Sequence, residues 1–500
     1  MPEHFKALVV ILLLASFVFA IARKASYELV GQEEFLRRRN LWFGLVLAAF
    51  LAHNYWFYIF LASLLLLATT ARETNRIALF FIVLFAVPAT NVEIPGLGLI
   101  NYLFSIGHVR LLTLLILLPL FFRLQHRADI IPFGRLKTDI ALAVYLLLVF
   151  FLQLRETTVT DTIRQGFYLF IDVFLPYFVI SRSIQGMNDF KGALHGFVLA
   201  TMALALIGIF EFGKKWQLYS SWFGAVDIAY SYFGYALREG LLRASASIGH
   251  SIAFGYVMVV ALGFYLFLSR FISNPLHRRL GWALLVGGAV ASLSRGPWVG
   301  ALALFIVFLA TGPNALRRLV MLFFAGIFSL PLLAVIPGGN KVIDLLPFIG
   351  TVDKFNIDYR EKLIDNTLIV INRNPWFGSV DFARTPEMQE MIQGEGIIDV
   401  VNTYLLMTLQ IGYVGTGLFV GFFVLVGWSI FMGFRRLPEK DGEEHLLGRA
   451  LLATLLAVLL IIFTTSPITV IPIVYWSVAG LGVAYAQMCR RMQESRVIAG

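Results

Sequence analysis

The sequence predicts an all-α polytopic membrane protein with about 14 transmembrane helices, within a range of roughly 12–15, and a large, partly helical external loop. Three observations predict it. The 500 residues are 59% hydrophobic and only 14% charged, with a mean hydropathy of +0.80, whereas soluble domains run near a quarter charged. About 295 hydrophobic residues, 59% of 500, cap the number of ~20-residue spans near ~15. The charges also fall in clusters between long apolar runs. This composition excludes a soluble globular domain, a disordered chain, a collagen and a disulfide scaffold.

In chain order, the apolar runs fall at 6–22, 41–53, 55–70, 77–90, 108–122, 139–153 and 165–180. The second half adds 193–212, 251–269, 280–293, 299–311, 319–337, 403–433, 450–464 and 470–489. The 30-residue run 41–70 is too long for one upright helix at ~1.5 Å per residue. His53-Asn54 in its middle predicts a tight hairpin. The first run lacks a small-residue cleavage site and is followed by Arg23-Lys24, so it is read as a retained span. One cysteine, Cys489, excludes disulfides within the chain and thiolate metal clusters.

Threading the runs with the amino terminus outside places 25 of the 40 Lys and Arg in inside segments. That bias predicts a cytoplasmic carboxyl terminus, and it turns the +10 net charge into a topology signal, so nucleic-acid binding is set aside. The organisation reads as membrane helices 1–212, an external loop 213–250, helices 251–337, a large loop 338–400, and carboxy-terminal helices 401–500. The loop 338–400 holds 6 basic and 10 acidic residues. It has helix-spaced Leu363, Leu368 and Ile371, and buriable Phe355, Tyr359, Trp376, Phe377 and Phe382, so it is expected to fold. Both long segments fall on the outer face, which places the expected active site there.

Four segments carry candidate chemistry. In Ser292-Leu293-Ser294-Arg295-Gly296-Pro297-Trp298, Gly296-Pro297 reads as a helix break. Arg295, 16 residues beyond Arg279, lies roughly 24 Å up a helix, near the outer interface. A guanidinium there suits a phosphate, which it grips with two parallel bonds; the alternative is snorkelling to lipid headgroups or pairing with a carboxylate. Arg243–Gly255 enters a span from outside with small residues and His250 at its mouth, where a hydrogen-bonded structural histidine is the plainer reading. Asp358-Tyr359-Arg360-Glu361 reads as a helix start, with Arg360 open to pairing with Glu361 or Asp358, and Asn374-Pro375-Trp376-Phe377-Gly378 as the turn that ends that helix. Finally, Glu395, Asp399 and Asn402 fall at i, i+4 and i+7, one face if helical, just before Thr403-Tyr404-Leu405 and Gln410-Ile411-Gly412-Tyr413-Val414-Gly415. A solvated helix start would look the same.

The order and form of these segments, across residues 240–430, resemble the O-antigen ligase and Wzy-type polymerase superfamily of bacterial envelope glycosyltransferases. The resemblance implies a polytopic inner-membrane enzyme acting at the periplasmic face, without a metal or other cofactor. It implies transfer, with inversion, of glycan from undecaprenyl diphosphate, and partners that include membrane lipid, a flippase and a chain-length regulator. Arg295 and Arg360 then hold the diphosphate, with Arg243 as a third contact, while Tyr359 and Asn402 support the site. Ligases of this group usually have His-Asn where this chain has Val401-Asn402. Val401 cannot take a proton, so the base falls to Glu395, Asp399 or His250. That departure favours an exopolysaccharide or O-antigen polymerase over a lipid A-core ligase; a ligase that attaches finished glycan to a lipid or protein is the runner-up, and a non-catalytic glycolipid-binding member stays open. A secondary transporter is the reading from another class, with Asp172 and Glu211 as its only clear intramembrane carboxylates.

Overall fold

The computed structural model describes the chain except residues 97, 99, 156, 229–236, 239, 336–342, 345–353, 393–395, 441 and 500, and the side chains of 330, 332, 333, 354–357 and 496–499. The fold is mostly helical. The first helices are α1 (Glu3–Val30), α2 (Gln32–Leu51), α3 (Tyr55–Thr70) and α4 (Arg76–Val83). A β-hairpin, β1 (Asn91–Pro95) with β2 (Tyr102–Gly107), leads into α5 (His108–Gln125). Helices α6 (Lys137–Gln153), α7 (Val159–Ser183) and α8 (Met187–Lys214) follow. Next come the short α9 (Ser220–Ala225) and a second hairpin, β3 (Leu237–Arg238) with β4 (Leu241–Leu242). Helices α10 (Ser251–Leu268), α11 (Pro275–Ala291), α12 (Arg295–Ala310) and α13 (Ala315–Val335) complete the middle of the chain. The loop region holds α14 (Lys354–Arg373) and α15 (Pro386–Gln389), and α16 (Thr403–Arg435), α17 (Glu443–Ile462) and α18 (Ile471–Ala499) end the chain.

Among the described residues, eight helices are long and apolar enough to cross a membrane. Helices α3 and α12 are as apolar but shorter than a straight span requires. The break expected inside 41–70 is present: α2 stops at Leu51 and Asn54 caps α3, its side chain accepting from the Phe57 amide at 2.8 Å. The two hairpins are β-structure that the hydropathy pattern does not announce.

Helices α8 and α10 are apolar all round and almost wholly buried, so they form the middle of the bundle. Around them the outward faces stay apolar. Leu13, Phe17, Phe60, Leu64, Leu147, Phe151 and Val424 are all exposed. In water such a belt would drive aggregation; against acyl chains it is the stable arrangement. The chain is a multi-pass membrane protein.

Polar contacts mark two ends of the bundle. One end holds Arg38–Glu73 at 2.6 Å, Arg182–Asp139 at 2.5 Å and Lys191–Glu443 at 2.8 Å. Arg38, Glu73, Arg182 and Asp139 are buried, where each charge depends on its partner. The other end is closed by the Tyr55 hydroxyl on the Ile106 carbonyl, the Trp222 indole on that of Ala49, and the Ser247 hydroxyl on that of Phe85. All four candidate segments lie at this second end.

Two spans contain a wide helical turn, Thr113–Leu117 in α5 and Leu169–Phe174 in α7. Each precedes a proline, Pro119 and Pro176. A proline excludes the normal bond to the carbonyl four residues back, and widening the turn accommodates its ring. In α7 the widened turn carries Asp172, which pairs with Arg110 at 2.9 Å.

The region after α13 has its own small core of Leu363, Val370, Ile371, Phe382, Met388, Met391, Val400 and Leu409. The expectation that it folds is met, with three corrections: Leu368, Trp376 and Phe377 are exposed. Leu368 falls on the face of α14 turned away from Leu363 and Val370, and the Phe355 side chain lies outside the described residues; for the two aromatic rings the reason lies in the contact between the α14–α15 loop and α16. Gly412 interrupts α16 at φ 67°, ψ −174°, and Gly378 stands opposite at φ +61°. Their backbones pair: the Ser379 amide donates to Leu409 O at 2.8 Å and the Tyr413 amide to Pro375 O at 2.8 Å. A Cβ on Gly412 would lie 2.3 Å from Trp376 O. This backbone clasp turns the two aromatic rings outward.

Candidate active site

The site is assembled around the turn between α11 and α12. Helix α11 ends at Ala291, Leu293 takes a left-handed φ of 45°, and α12 starts at Arg295. The expected break at Gly296-Pro297 is therefore corrected: those residues lie in the first turn of α12, where proline's missing N–H has no helical acceptor to lose. Arg295 sits half-buried at the head of the helix, with its Nη2 donating to the Asp344 carbonyl at 3.3 Å. Gly296 packs against Thr464, in the turn after α17.

The second hairpin grips the same turn. Arg238 Nη1 donates to Leu293 O at 2.6 Å, and Arg243 Nη2 to Ser294 Oγ at 2.9 Å. The Ala244 amide bonds Ala291 O at 3.0 Å. This strand-like segment is held from the other side by Glu211, at the end of α8, whose carboxylate accepts from the amides of Leu218, Ser245 and Ala246 at 2.9, 3.2 and 2.9 Å. Glu211 is thus occupied in anchoring two loops.

Helix α14 brings Arg360 and Tyr359 to the site. Desolvation lowers the Arg360 pKa, the Asp399 carboxylate opposes that shift, and the like charge of Arg295 adds to it. The guanidinium therefore lies within electrostatic reach of both. The Tyr359 hydroxyl is 3.3 Å from both Asp399 O and Met391 O, so it supports the segment that presents Asp399.

Asp399 does not share a helical face with Asn402. Residues 396–402 are non-helical, α16 starts at Thr403, and Asn402 is its extended N-cap, accepting from the Tyr404 and Leu405 amides at 3.0 and 3.2 Å. Asn402 supports the helix end and is otherwise committed. Glu395 lies outside the described residues. His250 caps α10, its Nδ1 accepting from the Ile252 amide at 3.3 Å. Burial and the nearby Arg243 push its pKa down to about 4, so the ring is neutral near pH 7.

Sequence reasoning missed Ser466. Its hydroxyl donates to the Asp399 carboxylate and also lies 3.1 Å from Val400 O. The neighbouring Thr465 carbonyl accepts from the Thr403 hydroxyl at 2.7 Å. The available signal was Thr464-Thr465-Ser466-Pro467, a hydroxyl-rich turn between the last two spans. Arg295, Arg360, Asp399 and Tyr359 are thus brought together, with Arg243 and His250 beside the same turn. Three guanidinium groups and one hydroxyl-bonded carboxylate are residue types that could hold an anion and accept a proton.

Residues 280–420 match the family model described as O-antigen ligase. The matched stretch contains Arg295, Arg360, Asp399 and the clasp at Gly412. Arg243, His250 and Ser466 lie outside it. No curated protein matches the chain.

Proposed function

We propose that the protein is an inner-membrane polymerase of undecaprenyl-diphosphate-linked repeat units for exopolysaccharide or O-antigen, acting at the periplasmic face through about 14 spans. The observation that carries this reading is the match of residues 280–420 to the O-antigen ligase family model, a stretch that holds Arg295, Arg360 and the Ser466-bonded Asp399. An acceptor hydroxyl attacks the anomeric carbon of the donor glycan. The bond to the diphosphate oxygen breaks with inversion, and the hydroxyl proton passes to Asp399. Arg295 and Arg360, assisted by Arg243, stabilise the charge that develops on the departing diphosphate, a task that needs no metal. Ser466 and Tyr359 hold Asp399 in place. His250 is the second base candidate, although its ring nitrogen Nδ1 is engaged in capping; Glu395 remains the third. The ligase reading has one specific support, the description of the matched family; Val401 in place of a histidine favours the polymerase.

The test uses purified protein in vesicles containing lipid-linked repeat units. A polymer ladder made by the wild type and lost in Arg295→Lys supports the reading. Glycan appearing only when lipid A-core is added makes the protein a ligase. A full ladder from Arg295→Lys removes Arg295 from the site.

A further inference from the structure

A cavity of about 870 Å³ opens at the same end of the bundle, outside the matched domain. Its walls are the α2–α3 turn, the first hairpin, the head of α5, the widened turn of α7, the loop after α9, and the turn before α18. Among its lining residues are Trp56, Asn91, Arg110, Asp172, Asp227 and Thr469. The last wall is next to the site along the chain: Pro467, Ile468 and Thr469 line the cavity directly after Ser466, which bonds Asp399.

The chemistry of the lining is specific. Arg110 is stacked on Tyr168 at 3.7 Å, paired with Asp172 and bonded to the Ser105 carbonyl at 2.8 Å. It is therefore fixed and largely neutralised. Asp172 keeps part of its carboxylate surface open, and Asp227 adds a second, exposed carboxylate. With two carboxylates to one guanidinium the described lining is net anionic, so it disfavours a diphosphate. Trp56 offers a partly exposed ring. Carboxylates and amides that accept from vicinal hydroxyls, beside an aromatic face, suit an uncharged saccharide, and the volume lies within the usual range of ligand pockets, roughly 300–1,000 Å³.

We propose that this cavity is a saccharide subsite, which binds uncharged sugar units of the glycan chain away from the bond being made. The assignment rests on the glycosyl-transfer reading for its purpose but not for its binding chemistry. The test takes full-length protein in lipid nanodiscs over an array of bacterial repeat-unit oligosaccharides, uncharged and uronic-acid-containing, none bearing lipid or phosphate. The wild type is expected to retain uncharged oligosaccharides, Trp56→Ala to bind them about tenfold more weakly, and Trp56→Phe to restore binding. Asp227→Asn, which keeps the left-handed turn at that position (φ 58°), is expected to weaken retention as well. Arg295→Lys should bind as the wild type does. Retention that needs Arg295, or that is unchanged in both Trp56→Ala and Asp227→Asn, overturns the subsite, as does no retention of uncharged glycans by the wild type. Retention by a protein that makes no polymer and no ligated glycan supports the subsite while removing the transfer reading.

Discussion

The Ser466 hydroxyl donates to the Asp399 carboxylate across a separation of 67 residues. This bond joins the turn before the last helix to the non-helical segment that leaves the large loop, and it holds the Asp399 carboxylate from that side. Asp399→Asn should abolish turnover, while Ser466→Ala should lower it by about tenfold, in keeping with the ~1.5–3 kcal/mol typical of a hydrogen bond to a charged group. Ser466→Thr, which keeps the hydroxyl, should recover most of it. Initial rates of polymer formation check this; equal activity in Ser466→Ala and the wild type would show that Asp399 needs no such support.

Arg295→Lys and Arg360→Lys should each reduce the rate by roughly 100-fold or more, because an ammonium is a point charge and cannot present two parallel donors to a phosphate. Binding of the lipid-linked donor should weaken less than turnover if the arginines act mainly on the developing charge. The comparison of kcat with KM decides it.

Gly412→Ala should destabilise the fold by about 3 kcal/mol or more, since the residue occupies a backbone region open to glycine and its Cβ would strike the 376–377 backbone. Thermal unfolding in detergent measures this. Tyr413→Phe, whose amide still bonds Pro375 O, should unfold close to the wild type; a Gly412→Ala protein of unchanged stability would mean that the clasp contributes nothing.

Acid should weaken the fold partly through His250. Its folded pKa of about 4 lies below the ordinary 6.5, so the unfolded chain binds more protons between those values, and the resulting loss of stability begins below pH 6.5 and is complete near pH 4. His250→Asn keeps a capping side chain but does not titrate. Between pH 7.5 and 5 its melting temperature should fall less than that of the wild type, and parallel falls would assign the acid sensitivity to other groups.

Single cysteines at 227 and 381, in a Cys489→Ser background, should react with an impermeant maleimide added outside intact cells, whereas one at 439 should react only after permeabilisation. Position 439 lies between α16 and α17, at the opposite end from Arg295. The reverse pattern would invert the proposed orientation.

Much of this arrangement is legible from residues in order. Apolar runs of span length, the His53-Asn54 break and the charge clusters mark the helices and their ends, because lipid enforces a local rule: each span must be apolar and must satisfy its own backbone. The Ser-Leu-Ser-Arg-Gly-Pro-Trp turn stands out for the same reason, with a cation where apolar residues are expected. What failed was the helical face drawn through Asp399 and Asn402, since an Asn before Thr-Tyr-Leu is as good a cap as it is a functional amide, and local spacing cannot distinguish them. Asp172 and Glu211 were visible as intramembrane carboxylates, but their partners, Arg110 and three loop amides, come from elsewhere in the chain.

A multi-span helical protein with a cationic turn near one interface follows from the order of residues, because those properties depend on neighbours along the chain. That Ser466 bonds Asp399, that Asn402 caps a helix, that Gly378 and Gly412 form one clasp, and that a cavity with a net-anionic described lining opens outside the matched stretch emerge from the folded chain. Each of these depends on contacts between groups far apart in sequence, and such contacts are fixed by how the helices pack rather than by the pattern along any one of them.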